Sequence, residues 1–312
     1  TQSRNDGVHI KSAKIGFGGE INYDWFYFLQ ISSEAEAFDL ASAHIGYQGI
    51  DKWQLFIGKL DEPFSLEEQI SSKWTSFMRR GSVNSFVPGT NIGVMAKNWS
   101  DCHSLSFGLF GNEDDSISFN DSRYNISARA SFAPYIEKDK VVHFGLSGAY
   151  KRTSPSGFEI RYNEFPGTTL GDATVDTGNI TNVKNTVHAG LEFAAAGNGA
   201  SIQAEYINNF VHRRAVENSE FDAAYIQATY TLTGETRKYD VTSGTFGKVS
   251  PETPFSIKEG GMGAWELATR VNYINLKDGL INGGSQRDLG FAVNWYINDY
   301  VKFAANYMIM NV

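Results

Sequence analysis

The feature that most constrains this chain is a strict two-residue alternation of apolar and polar side chains, repeated in short segments along the sequence. Successive side chains of a strand point to opposite faces, so each segment makes a ribbon with one greasy and one polar side. From Leu289 to Tyr296, Leu289, Phe291, Val293 and Trp295 share one face while Gly290, Ala292, Asn294 and Tyr296 share the other. The next segment sets Val301, Phe303, Ala305, Tyr307 and Ile309 against Lys302, Ala304, Asn306 and Met308. Between Trp265 and Tyr273 charge sits on one side only, with Glu266 and Arg270 opposing Trp265, Leu267, Val271 and Tyr273. Comparable dyads run through Tyr23 to Ile31, Trp53 to Ile57, Tyr124 to Phe132, Val141 to Tyr150, Val187 to Phe193, Ile202 to Tyr206 and Ile226 to Leu232, with turn-rich stretches between them.

No window holds the roughly 18 to 20 consecutive apolar residues of a membrane-spanning helix. A barrel wall needs only about 10 residues per crossing, apolar at alternate positions, and about 14 such segments can be counted. That arrangement also reconciles 41% apolar residues with a mean hydropathy of −0.32. A soluble β-sandwich or lipocalin-like barrel alternates too. However, the polar faces carry Arg129, Glu192, Glu205, Glu266, Arg270 and Lys302, and unpaired charge cannot fill a dry core. A water-filled lumen removes that cost. Aromatic residues also gather at segment ends, including Tyr23, Trp25, Trp265, Tyr273, Trp295, Tyr296 and Tyr300, where amphipathic rings suit a membrane boundary. The expected fold is therefore all-β, a single antiparallel transmembrane β-barrel domain over residues 1–312.

Short connections at 49–52 and 298–299 read as tight turns on one rim, and the long ones at 61–91, 112–122, 152–183 and 234–263 as loops on the other. The stretch from Ser65 to Arg80 has helix-forming composition, with Ser65 and Glu68 spaced as a capping box, and could fold into the lumen or lie on the surface. The single Cys102, beside His103, excludes an internal disulfide and lacks nearby partners for a metal site, so neither metal nor cofactor is expected. A net charge of −8, interrupted only by pairs such as Arg79-Arg80 and Arg213-Arg214, argues against nucleic acid. Thr1 opens on a polar stretch, as a mature or trimmed chain would.

A series of segments in order resembles the phosphate-selective porin O and P family of Gram-negative outer membranes. It comprises Ser71-Ser72-Lys73-Trp74, Phe77-Met78-Arg79-Arg80, Pro88-Gly89, Tyr124-Asn125 through Arg129 to Pro134, and Val141 to Leu146. It continues through Gln203 to Tyr206, Tyr230 to Glu235, Gly263 to Leu267 and Asn294 to Tyr296. The resemblance implies an outer-membrane barrel of about 16 strands, a homotrimer among lipid and lipopolysaccharide, and a third loop folded inward as a constriction. The chain would then be about two strands short, with no partner before the segment Val8 to Phe17 and no terminal aromatic at Val312. Either closing strands lie outside this sequence or the count is off.

Phosphate-selective members are implied to hold small anions at a constriction lysine, fed by an arginine ladder. Fixed cations in a narrow pore concentrate anions and replace part of their hydration shell. Lys73 matches the lysine, with Arg79 and Arg80 beside it. The ladder segment corresponds to Phe158 to Glu164, where only Arg161 is basic. Parity turns Lys14, Arg129, Arg270 and Lys302 inward, opposed by Glu205 and Glu266. The function expected is an outer-membrane diffusion channel for small hydrophilic solutes with an anion, phosphate-like preference. A general weakly selective porin and a loop-based adhesin or receptor barrel, with Glu113-Asp114-Asp115 as a contact, are the alternatives. Catalysis is not expected, because His143 with Ser147 and His188 with Glu192 share faces without a third member.

Overall fold

The computed structural model describes residues 10–34, 37–111, 123–153, 158–165 and 172–312. Every long alternating segment is a strand, and fourteen of them form one antiparallel sheet. The first half of the wall is β1 (Ala13–Ile21), β2 (Trp25–Glu34), β3 (Ala37–Ile50), β4 (Trp53–Asp61), β5 (Thr90–Trp99), β6 (His103–Phe110), β7 (Tyr124–Glu137) and β8 (Lys140–Arg152). A two-stranded hairpin, β9 (Asn163–Glu164) with β10 (Val175–Asp176), lies in the connection that follows. The wall resumes with β11 (Val183–Gly197), β12 (Ala200–Arg213) and β13 (Ser219–Thr231). After a second small hairpin, β14 (Tyr239–Asp240) with β15 (Thr245–Phe246), it ends with β16 (Ala264–Asp278), β17 (Ile281–Tyr296) and β18 (Lys302–Asn311). Each wall strand pairs with the next in the chain, and among the described residues β1 and β18 are not paired with each other.

The two faces follow the dyads. On β17, Phe291 is 46% exposed and Ala292 only 4%. Cross-strand register then lines up like with like: Trp265, Trp295 and Phe303 are partners across β16, β17 and β18. The first two rings stack at 5.2 Å and 16°, and the last two at 6.0 Å. β1 starts later than expected, at Ala13, and its register sets Ile15 and Phe17 beside the outward Ile31 and Leu29, with Lys14 on the other face beside Ser32. The part of the expected first strand before residue 10, like the acidic Glu113-Asp114-Asp115, lies outside the described residues.

Alternating strand direction fixes the rim of each connection. The tight turns after β1, β3, β5, β7, β11 and β17 share one rim, and the segments after β4, β6 and β8 share the other. One expectation is corrected here. The long connection from 232 to 263 follows β13 and so leaves from the rim of the tight turns, not that of the long loops. It is tied there by Phe255 N donating to Ile297 O (2.8 Å) and by Lys248 pairing with Asp299 (2.9 Å).

The stretch Ser65 to Arg80 is also corrected. Only α1 (Leu66–Gln69) is helical, with a 3-10 turn, η1 (Ser82–Phe86), further on. Ser65 does cap α1, accepting from Glu68 N at 3.4 Å. The helix stops after one turn because the Arg80 guanidinium takes the carbonyls of Glu67, Glu68 and Ile70 (3.1, 3.1 and 2.9 Å), satisfying oxygens that a longer helix would have bonded itself.

The sheet wraps around this loop. Its Glu62 accepts from Asn125 on β7, Ser76 O from Asn294 on β17, Thr75 O from Lys302 on β18, and Met78 O from Lys11 just before β1. A single loop can reach strands so far apart in the sheet only if the sheet curls. The main apolar core lies inside the curl, where Phe64, Val83 and Phe86 of the loop pack with Ile207, Phe221, Tyr225, Ile274 and Leu276 of the wall.

Candidate functional site

The inward loop is held by polar groups of the wall. Glu205 on β12, 3% exposed, caps α1 from outside the helix. One carboxylate oxygen accepts from Ser65 Oγ (2.7 Å) and Leu66 N (2.8 Å), the other from Glu67 N (2.8 Å) and Tyr225 OH (2.7 Å). A negative group at a helix N-terminus satisfies donors that have no partner within the helix. The Glu67 side chain in turn pairs with Arg270 of β16 at 2.7 Å and accepts from Gly81 N at 2.6 Å. Arg270 also donates to Gln227 and Arg79 O, and lies 4.4 Å from the Phe77 ring centroid and 5.3 Å from that of Tyr225. Glu62, fully buried, is matched by Asn91, Asn125 and Ser127.

A second segment enters the lumen from the opposite rim. Arg237, ahead of β14, donates to Trp74 O (2.7 Å) and Ser76 Oγ (2.9 Å) on the loop and pairs with Glu266 at 2.7 Å. Phe246 of β15 packs with Leu66 and Ile70. Arg129 pairs with Glu192 at 2.8 Å and donates to Ser243 O and Gly244 O of the same segment. The lumen is thus narrowed by two chain segments meeting from the two ends.

The sequence-derived residues fall into distinct groups. Lys73 is exposed on the loop, 5.1 Å from its neighbour's indole centroid. Lys14 is exposed on the inner face of β1. Arg79 is half-buried, 3.8 Å from Glu164 and over the Phe165 ring. Arg80 is engaged with α1 and lies 3.3 Å from Glu68. Lys302 turns inward and donates to Thr75 O at 2.8 Å. Arg129, Arg270, Glu205 and Glu266 turn inward as parity requires but are buried beneath the two inserted segments, in pairs or capping bonds. Arg161 is exposed and pairs with Asp176 of β10. That pairing holds the Asp176 carboxyl below its usual range.

Electrostatics at the loop centre on Glu68. Burial pushes its carboxyl up to about 7, against the pull of Arg80, while Asp61 and Glu67 push in the same direction as burial and Lys14 opposes it. The His143 ring is held at both nitrogens: Nδ1 lies 2.7 Å from Tyr239 OH and Nε2 3.3 Å from the Glu192 carboxylate. Among the described residues no group of three or more His, Cys, Asp or Glu is placed to hold a metal ion. Sequence reasoning missed Glu62 and Glu67. Both sit in a connection, where the alternation gives no parity.

Strands that span a sheet of this size, an apolar outer face and an inward loop are the geometry of an outer-membrane pore, and over residues 1–312 the sequence matches the family described as phosphate-selective porin O and P. The chain belongs to that family. This porin is 30% identical to Porin O of Pseudomonas aeruginosa, over 97% of the chain and 76% of that protein. It is 25% identical to an uncharacterized protein of Caulobacter vibrioides, spanning 98% of the chain but only 63% of that relative. Solved structures agree on the fold. OmpT of Vibrio cholerae superposes with a TM-score of 0.58 at 11% identity, covering 96% of this chain and 78% of that one. An anion-selective porin from Comamonas acidovorans does so with 0.56 at 10% identity, covering 95% and 78%. The porin is thus an outer-membrane channel of the bacterial cell, and its family is one of channels.

Proposed function

We propose that this porin is a diffusion channel with a moderate preference for small anions, set where the inward loop leaves a gap to the wall. The observation that carries this reading is the contrast among its cations. Arg129, Arg237 and Arg270 face carboxylates at 2.7 to 2.8 Å and contribute no net field. Lys73 and Lys14 are exposed, and among the described residues no ion pair joins either of them. Fixed charge in a narrow aqueous gap acts on permeating ions in proportion to what remains unpaired, which favours anions without building a ladder. Membership of a phosphate-selective family, and the anion selectivity of the Comamonas neighbour, support the same sign. Phosphate is a natural test ion. OmpT of Vibrio cholerae also has a trimer form, and a homotrimer in lipid and lipopolysaccharide is part of this proposal.

The test is the reversal potential of single channels of the refolded protein in a KCl gradient, before and after adding phosphate. The wild type should be anion-positive, and Lys73→Glu should move it toward cations. An unchanged potential would place Lys73 away from the constriction.

A further inference from the structure

The inner face of β1 to β4 carries a cluster of aromatic rings. Phe26 and Phe28 of β2 and Phe56 of β4 turn inward together with His44 of β3. Their ring centroids are 5.5 Å apart for Phe26 and Phe56, 5.7 Å for Phe28 and His44 and for His44 and Phe56. The rings are half-buried, and among the described residues no hydrogen bond or ring contact joins them to the inward loop. That loop makes its bonds to β5, β7, β12, β13 and β16 to β18 instead.

Glycines make room for these rings. A Cβ on Gly46 would stand 2.0 Å from the Phe26 ring, and Cβ atoms on Gly16 and Gly18 would stand 3.3 and 3.1 Å from that of Phe28. The platform is therefore fixed against the backbone. The Ser42 hydroxyl, which donates to Lys59 O, sits 3.2 Å from His44 Nδ1. Lys14 is exposed on the same face of β1, two positions before Gly16, against which the Phe28 ring packs. Across the gap stands Glu68, which at neutral pH carries only part of its charge, and Lys59 is 3.7 Å from Asp39.

Aromatic surface left facing a wet lumen is poorly hydrated, and a planar apolar group can displace that water by offset stacking at little cost in ordering. A cation at one end fixes which way such a solute lies. We propose that this wall binds small organic anions with a planar apolar body, aromatic carboxylates or aryl phosphate esters, with the ring on Phe28, Phe26 and Phe56 and the charged end at Lys14. The channel would then favour these solutes over bare inorganic anions. The inference rests on the anion-preferring reading above and specifies its solute class.

The experiment is block of single-channel chloride current by phenyl phosphate, inorganic phosphate and phenyltrimethylammonium. The wild type should be half-blocked by phenyl phosphate at about a tenfold lower concentration than by phosphate, the scale of one stacking contact. Phe28→Ala should cut that advantage to about twofold, whereas Phe28→Tyr should keep it. If Phe28→Ala does not refold, Phe28→Leu takes its place, since it still covers Gly16 and Gly18 without a ring face. Lys14→Gln should weaken block by both phosphates alike. Equal block by the two phosphates in the wild type overturns the proposal. So does an advantage that survives loss of the ring, or stronger block by phenyltrimethylammonium. An anion-positive KCl potential alongside equal block would defeat this inference and leave the anion-preferring reading standing.

Discussion

Glu205→Ala tests whether one wall carboxylate holds the constriction loop in the lumen. The side chain accepts four hydrogen bonds, three of them from the first residues of the loop helix. Losing a helix cap costs about 1 to 2 kcal/mol. Each further buried donor left without a partner costs about 1 to 3 kcal/mol. These contributions overlap, because a loosened α1 re-solvates its own amides, and about 4 kcal/mol is the reasonable sum for seating the loop. At 1.4 kcal/mol per tenfold, the ratio of seated to released loop falls by roughly a thousand. The wall ladder is untouched, so thermal unfolding of the barrel should barely move. The change should appear as open-channel noise with a larger conductance substate, and as faster trypsin cleavage after Lys73, Arg79 and Arg80. Where opening equilibrates quickly, that cleavage follows the released population. Glu205→Gln, which keeps one carbonyl acceptor, should fall between. If Glu205→Ala channels are as quiet and as protease-resistant as the wild type, the carboxylate does not hold the loop and the reasoning fails.

Glu68 should make selectivity depend on pH. With its carboxyl pushed up to about 7, lowering pH from 8 to 6 removes a negative charge at the gap, so the KCl potential should become more anion-positive, and Glu68→Gln should hold it at the low-pH value. The raised value also means that seating of the loop gains fully below the ordinary carboxylate range and loses that gain as pH rises through about 7, which trypsin sensitivity can follow. Arg237→Ala should free the segment that enters from the tight-turn rim and raise conductance, while leaving Glu266 buried without its cation at a cost of about 3 to 5 kcal/mol, read as a lower melting temperature. Arg161→Ala removes an ion pair whose arginine is 55% exposed, so it should change stability by less than about 1 kcal/mol and leave the reversal potential unaltered.

Much of the wall could be read because a strand writes its environment into every second residue. Phe291 and Ala292, or Leu267 and Ala268, announce lipid and interior without reference to any distant partner. The inference from inward charge reached the right architecture by an incomplete argument. Arg129, Glu205, Glu266 and Arg270 suggest a wet lumen, but each is buried and bonded to a group on one of the inserted segments. Sequence spacing carries no trace of such pairings, since Glu67 and Arg270 are joined although 203 residues apart in the chain. The aromatic platform escaped notice for the opposite reason. In Tyr23 to Ile31 both parities are rich in rings, so the alternation looked complete while its inward half was Phe26 and Phe28.

By itself, the sequence determined the antiparallel strands of the wall and their outward face, because those follow from a local period of two and from the water or lipid each residue must meet. Through its ordered segments it also pointed to the family. Only the tertiary structure decided how the lumen is filled. Which rim sends in the segment around Arg237, how Glu205 ends up as the cap of a one-turn helix, and which cations keep their charge all depend on groups brought together by the curling of the sheet. The physical reason is that burial against lipid is a property of a residue and its neighbours along one strand, whereas neutralisation of a charge is a property of whatever stands within a few ångströms of it.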